Sequence, residues 1–220
     1  MKILKVKNIP VVGWSSDNPL NFRPRFRTIL WLTLGLLLFG AGETLMIAAN
    51  AGVSPWTVFA QGISETLKIS IGMATFYTGV GVLLLWIPFK RVPGIATILN
   101  IIIIAGVIEF LLPYMPSAKT YLTMGIGAIA GILLVGLGSG FYLVANLGPG
   151  PRDGLMTGLQ QLTNAPIAWV RLSIEITVTF IGWTLGGVVG VGTVLFAIGI
   201  GPAVSVGLYF VSTMSTKRTC

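Results

Sequence analysis

Hydrophobic positions along this chain do not alternate and do not fall into narrow stripes. They form long runs, such as the fifteen uncharged residues from Thr28 to Gly42 and the charge-free YLTMGIGAIAGILLVGLGSGFYLV of 121–144. A bilayer core is crossed by about 20 mostly apolar residues of helix. Lipid offers no partner for backbone N–H and C=O groups, so each run must bond within itself as a helix. The pattern predicts long helices at 28–50, 71–89 and 95–114, and again at 120–146, 167–186 and 190–212. Two shorter and more polar segments, 54–67 and 150–163, interrupt the series. Each follows an Asn-x-Gly-x-x-Pro break, Asn50, Gly52 and Pro55 in the first case and Asn146, Gly148 and Pro151 in the second.

The two breaks belong to a longer correspondence. Gly148 follows Gly52 by 96 residues, and the same offset carries Gly35, Leu37, Leu38, Gly40 and Gly42 onto Gly131, Leu133, Leu134, Gly136 and Gly138. It also carries Gly62, Gly94, Thr97 and Leu99 onto Gly158, Gly190, Thr193 and Leu195. One register held across apolar, polar and proline positions predicts an internal duplication. If the short segments are re-entrant or interfacial half-helices, each half crosses three times and the second half is inverted relative to the first. Lys90, Arg91, Arg152, Lys217 and Arg218 then join the N-terminus inside, leaving Lys68 and Lys119 outside. If the short segments cross, eight spans result and Lys90, Arg91 and Arg152 fall outside. Loop cations favour the inner side, which selects six spans. The expected fold is therefore an all-α membrane protein, with six transmembrane helices in two inverted repeats of three, each repeat holding one half-helix. The boundaries are a basic cytoplasmic tail at 1–27, repeats at 28–116 and 117–213, and a cytoplasmic C-terminal tail at 214–220.

Composition sharpens this reading. The chain of 220 residues is 54% hydrophobic and 9% charged, with 29 glycines and a formal charge of +8. The N-terminal cations Lys2, Lys5, Lys7, Arg23, Arg25 and Arg27 suit a headgroup-facing tail on the inner side of a bacterial cytoplasmic membrane, so the positive charge points to orientation rather than to nucleic acid. Lysines and Pro10 break any signal-peptide core. With no histidine and one cysteine, Cys220, neither a His/Cys metal site nor a Ser-His or Cys-His pair can be assembled, and no cofactor is expected. GLGSG at 136–140 and GPGP at 148–151 lack the strand and the Gly-Lys-Ser/Thr of nucleotide loops. Gly127/Gly131 and Gly136/Gly140 read as close helix packing.

The six acids carry most of the remaining information. Asp17 is in the tail, Glu65 reads as amphipathic surface and Glu109 as a headgroup contact. Glu43 lies past the membrane midpoint on the first helix, either snorkelling outward or forming a proton or cation site. Arg171 and Glu175, four apart, share one helix face, as a structural pair or as part of a substrate site. Arg152 and Asp153 follow the second break, held open by Gly148, Gly150 and Pro151. Asp153 there can cap backbone N–H groups, and Arg152 beside a helix N-terminus offers an anion both a guanidinium and free donors. The first break has Trp56 and Thr57 at the matching positions. Duplicated broken helices point to a transporter binding site.

GVSPWTV at 52–58 and GPGPRDGLM at 148–156, with PGIATILN at 93–100 and VGVGTVLFAIGIGP at 189–202, resemble the YczE/YyaS/YitT group of membrane proteins over roughly residues 28–212. The group often carries an acid after the tryptophan, where this chain has Thr57. The resemblance implies a multi-pass bacterial inner-membrane protein and supplies no substrate. The leading expectation is a secondary transporter or permease, not an enzyme, for a small polar or anionic metabolite. Arg152 would bind the anionic group, Asp153 would orient the break, Trp56, Asn50 and Asn146 would line the pocket, and Glu43 or Glu175 would couple transport to an ion. The alternative is a non-transporting membrane partner of an enzyme or biosynthetic complex, contacting it through the basic tail or the 90–94 loop. A membrane enzyme is the weaker third reading. The oligomeric state is left open, with a homo-oligomer among the options.

Overall fold

The computed structural model describes residues 9–214, so Lys2, Lys5, Lys7, Lys217, Arg218, Cys220 and all but the first residue of the expected C-terminal tail lie outside the described residues. The described residues fold into eight α-helices and no strand. They are α1 (Phe26–Ala49), α2 (Pro55–Leu67), α3 (Ile71–Leu84), α4 (Ile95–Leu111, extended by a 3-10 turn Leu112–Tyr114), α5 (Tyr121–Ala145), α6 (Pro151–Thr163), α7 (Ile167–Thr184) and α8 (Val191–Met214). Five of these runs are long and apolar enough to cross a bilayer: α1, α4 with its 3-10 turn, α5, α7 and α8. The pair α2 and α3, bent by 113°, supplies a sixth if it counts as one span. At 13 residues, α2 and α6 each reach about 20 Å, short of a hydrocarbon core of about 30 Å.

One helix is shorter than its apolar pattern predicts. The run expected at 71–89 leaves the α-helix at Leu84 and continues as turns to Lys90, with Ile87 N–H bonding Leu84 O and Phe89 N–H bonding Trp86 O. Pro88 has no N–H for the carbonyl of Leu84 and disfavours helical geometry at Ile87, so the helix tightens and stops. The tail expected at 1–27 also differs, because part of it is packed. Val12 and Trp14 are buried, Ser16 N–H bonds Ala145 O at 3.0 Å, and Thr28 Oγ1 donates to Trp14 O at 2.6 Å. Trp14, Trp31 and Phe141 stack in series, with centroids 6.0 and 5.3 Å apart. Apolar side chains at 12 and 14 cover the neighbouring ends of α1 and α5, an enthalpic and hydrophobic gain that a solvated arm would forgo.

The centre of the molecule is built from α1, α4, α5 and α8. Leu32, Leu36, Ile104, Phe141 and Leu208 form its main cluster, and Met46, Val135, Phe196 and Ala203 form a second beside it. Lipid tails are as apolar as leucine, so helices associate in a bilayer through close packing rather than through hydrophobic exclusion. The glycines supply that closeness. A Cβ on Gly42 would lie 2.7 Å from Gly131 O, and one on Gly35 would lie 2.8 Å from Gly138 O. These paired contacts run in opposite directions along the two helices, so α1 and α5 are antiparallel. On the other face of α5, Gly136 meets Ala203 and Gly140 meets Gly207, a register in which α5 and α8 run parallel. By contrast α7 buries only Val170 and Gly182, and Ile176, Phe180 and Trp183 on it are exposed, as a lipid-facing helix requires.

The breaks are clasped by the first turns of α4 and α8. Ala96 N–H donates to Leu147 O at 2.9 Å, and Gly192 N–H donates to Ala51 O at 2.7 Å. Both break glycines have positive φ, +104° at Gly52 and +111° at Gly148, a geometry that a side chain resists. Thr97 Oγ1 also donates to Pro149 O at 2.7 Å, so the first turn of α4 holds the second break at two points.

Candidate functional site

Each break ends by starting a short helix with proline at its first position, Pro55 in α2 and Pro151 in α6. Proline suits that position because its missing N–H would have no partner there. The remaining first-turn N–H groups have no carbonyl four residues back, which leaves partial positive charge at each helix start. Both starts open on one cavity of about 250 Å³, whose walls include Ser54, Pro55 and Trp56 from the first break and Gly150, Pro151, Arg152 and Asp153 from the second. Asn100, Ser139, Tyr142, Arg171 and Glu175 complete its polar lining.

Arg152 is the cation at the centre of this arrangement. It forms no ion pair among the described residues and instead lies over the Trp56 ring, 5.3 Å from its centroid. The carboxylates of Asp153 and Glu175 share its cavity. A guanidinium over an indole face keeps its edge donors available while the ring quadrupole stabilises the charge. Trp56 is 5% exposed, and its Nε1 is buried without a hydrogen-bond partner. Among the described residues it is the one buried side-chain donor or acceptor left unsatisfied, at a cost of about 1–3 kcal/mol.

Glu43 is 1% exposed, so the snorkelling alternative fails. Ser54 Oγ lies 3.0 Å from both carboxylate oxygens, and Thr57 Oγ1 lies 2.8 Å from Oε2. Ser54 occupies the residue before α2 without capping it, because its hydroxyl turns to Glu43. The carboxylate thus sits behind the cavity wall, next to the positive end of α2. Thr57, where the resembling group often has an acid, serves here as a donor to an acid from α1.

Asp153 does not cap α6 through its side chain; Tyr142 Oη donates to its Oδ2 at 2.7 Å, tying α6 to α5. Trp86 holds the same turn from the other side, donating from Nε1 to Pro151 O at 2.9 Å. Its ring lies where a Cβ on Gly154 would be, which explains the glycine after Arg152 and Asp153. Arg171 and Glu175 pair at 2.8 Å within α7, and both stand on the cavity wall.

Two expected wall residues are elsewhere. Asn50 and Asn146 end α1 and α5 in left-handed conformation, at φ of 51° and 52°, and neither lines the cavity. Asparagine tolerates that conformation better than most residues, which is its reason for being there. Asn146 Nδ2 donates to Ser16 O at 2.9 Å, fastening the N-terminal segment. Gly52 shapes its break from behind the wall, as Gly148 does. Asn100, Tyr142, Ser54 and Trp86 were missed from sequence. A lone amide in TILNIIII and a tyrosine in SGFYLV were the available signals, since polar groups inside apolar runs usually face a cavity or partner.

Fold and site together define a multi-pass helical membrane protein whose two broken helices meet at a largely apolar cavity with charged groups on its wall. The chain belongs to the family of unknown function DUF6198, which matches residues 26–208. It is 38% identical over 210 residues to an uncharacterized protein of Haemophilus influenzae, covering 96% of this chain and 95% of that one. It is 34% identical over 166 residues to the uncharacterized membrane protein YczE of Bacillus subtilis, covering 74% and 77%. The uncharacterized protein YyaS of Bacillus subtilis is 23% identical over 170 residues, with 76% and 85% covered. No solved structure matches.

Proposed function

We propose that this protein is a secondary transporter or permease of the bacterial cytoplasmic membrane for a small polar or anionic metabolite. The observation that carries the reading is the convergence of two broken-helix starts and an Arg152 without an ion pair on one cavity. A carboxylate or phosphate there would receive two parallel guanidinium bonds and the free N–H groups of α2 and α6. Arg152 is the anion-binding residue, Tyr142 and Asp153 hold its helix in position, and Trp56 forms the aromatic wall. Glu43, linked to the cavity through Ser54, is the coupling carboxylate for a proton or monovalent cation. The Arg171–Glu175 pair is the polar gate that an incoming anion competes to open.

In this reading the halves are inverted repeats of three spans, with α2 and α6 re-entrant and both termini cytoplasmic. The antiparallel course of α1 and α5 supports it, as does the parallel course of α5 and α8, which an odd number of crossings per half produces. The reciprocal bonds Ala96 to Leu147 and Gly192 to Ala51 are separated by the same 96-residue offset as the sequence matches. Alternating access would then exchange the roles of the two clasped breaks about a fixed cavity.

The test is charge movement in proteoliposomes challenged with small organic anions, zwitterions and cations. A substrate-dependent current, absent in Arg152→Ala, is the expected result. Silence for every compound, in electrical and radiotracer uptake alike, from protein that retains its thermal stability would refute transport and favour the role of a non-transporting partner.

A further inference from the structure

Trp56 divides the cavity from two further spaces. The indole is also a wall of a small gap of about 30 Å³ against Thr78, Val82, Asn100 and Arg152. It is a wall again of an apolar groove of about 560 Å³ between α3 and α7. Phe59, Ile63, Tyr77, Leu85, Leu155 and Val178 dominate that groove, and Thr78 and Val82 continue into it from the gap. The three spaces therefore adjoin one another at the Trp56 wall, with a charged end at Arg152 and an apolar end between α3 and α7. Gly81 lines the groove, and a Cβ placed on it meets no atom within 4 Å.

We infer that the ligand is a single-chain amphiphilic anion, with a carboxylate or phosphate head at Arg152 and an apolar tail running past Trp56 into the α3–α7 groove. This deepens the transport reading and rests on its anion site. A wholly polar metabolite would leave the groove unused, whereas a neutral lipid tail would leave the guanidinium of Arg152, which has no ion pair among the described residues, without an anion. An amphiphile satisfies both ends, and the groove gives it a lateral way in from the bilayer, so its tail need not cross the Arg152 cavity.

The probes are straight-chain carboxylates from butanoate to dodecanoate, with matched alcohols. Binding to the purified full chain is measured by thermal stabilisation and by tryptophan fluorescence, against free aqueous concentration. Affinity is expected to rise by up to about fourfold per added methylene, the factor for burying one CH₂. Carboxylates should outbind their alcohols, and Arg152→Ala should abolish that preference while the chain-length dependence remains. Gly81→Leu, which adds a side chain to the groove wall where a Cβ meets no atom within 4 Å, should flatten the chain-length dependence. Butanoate binding that depends on Arg152 but does not strengthen with chain length would overturn the amphiphile and spare the anion site. Equal binding of carboxylates and alcohols, unchanged in Arg152→Ala, would identify the groove as ordinary lipid surface and overturn it too. If neither short nor long anions bind in an Arg152-dependent way, the anion site itself falls.

Discussion

Replacing Gly148 with alanine asks whether the break is a fixed structural joint or a loose link between helices. Gly148 has φ of +111°, beyond the small left-handed region that other residues visit, so a Cβ there costs about 1–3 kcal/mol in backbone strain. The added methyl would also lie 2.9 Å from Gly94 Cα and 3.0 Å from Thr97 Oγ1. The first neighbour is backbone at the start of α4, and the second is bound to Pro149 O at 2.7 Å, so neither yields freely. Overpacking of that kind adds about 1–3 kcal/mol. A loss of roughly 2–6 kcal/mol follows from the two effects, which is large against the stability of a typical domain. The control is Gly106→Ala in α4, where a Cβ meets nothing within 4 Å and helix propensity favours alanine by about 0.5–1 kcal/mol. Thermal unfolding of the purified protein in detergent, followed by tryptophan fluorescence, should show Gly148→Ala melting well below the wild type and Gly106→Ala at or slightly above it. Equal melting temperatures for Gly148→Ala and the wild type would refute the clasped-joint argument.

Three further outcomes follow from the same geometry. Thr57→Val removes a 2.8 Å donor from a buried carboxylate and should destabilise the protein by about 1–3 kcal/mol in the same melting assay, with Thr57→Ser restoring most of the loss. Trp86→Phe keeps most of the packing against Gly154 but deletes the bond to Pro151 O, so a loss of about 1 kcal/mol is expected, together with a weaker anion response because the Arg152 turn loosens. Reporter fusions should place residue 118 outside and residue 90 in the cytoplasm; a periplasmic signal at 90 would sink the three-span halves.

Much of the fold is legible in sequence because bilayer physics leaves few options. Apolar runs of sufficient length must be helices, and the observed bounds of α1, α5, α2 and α6 lie within two residues of the expectation. The breaks are legible for a similar reason, since proline begins a helix well and glycine tolerates positive φ. The stop of α3 at Leu84 was obscured because IPFK continues the apolar run while its proline interrupts the hydrogen bonding. Asn50 and Asn146 were misassigned because an asparagine at a break can serve a ligand or simply adopt a left-handed cap, and the chain pattern is the same in both cases.

Sequence by itself determined which residues carry charge into apolar surroundings, Glu43, Arg152 and Asp153 among them, since one apolar run against the next makes them conspicuous. Tertiary structure alone decided their company. Glu43 meets Ser54 and Thr57 because the first break returns the start of α2 to α1, and Arg152 meets Trp56 because the two helix starts, 96 residues apart, face one cavity. Contacts of that kind depend on how helices cross, and crossing is set by glycines packed face to face rather than by any local pattern along the chain.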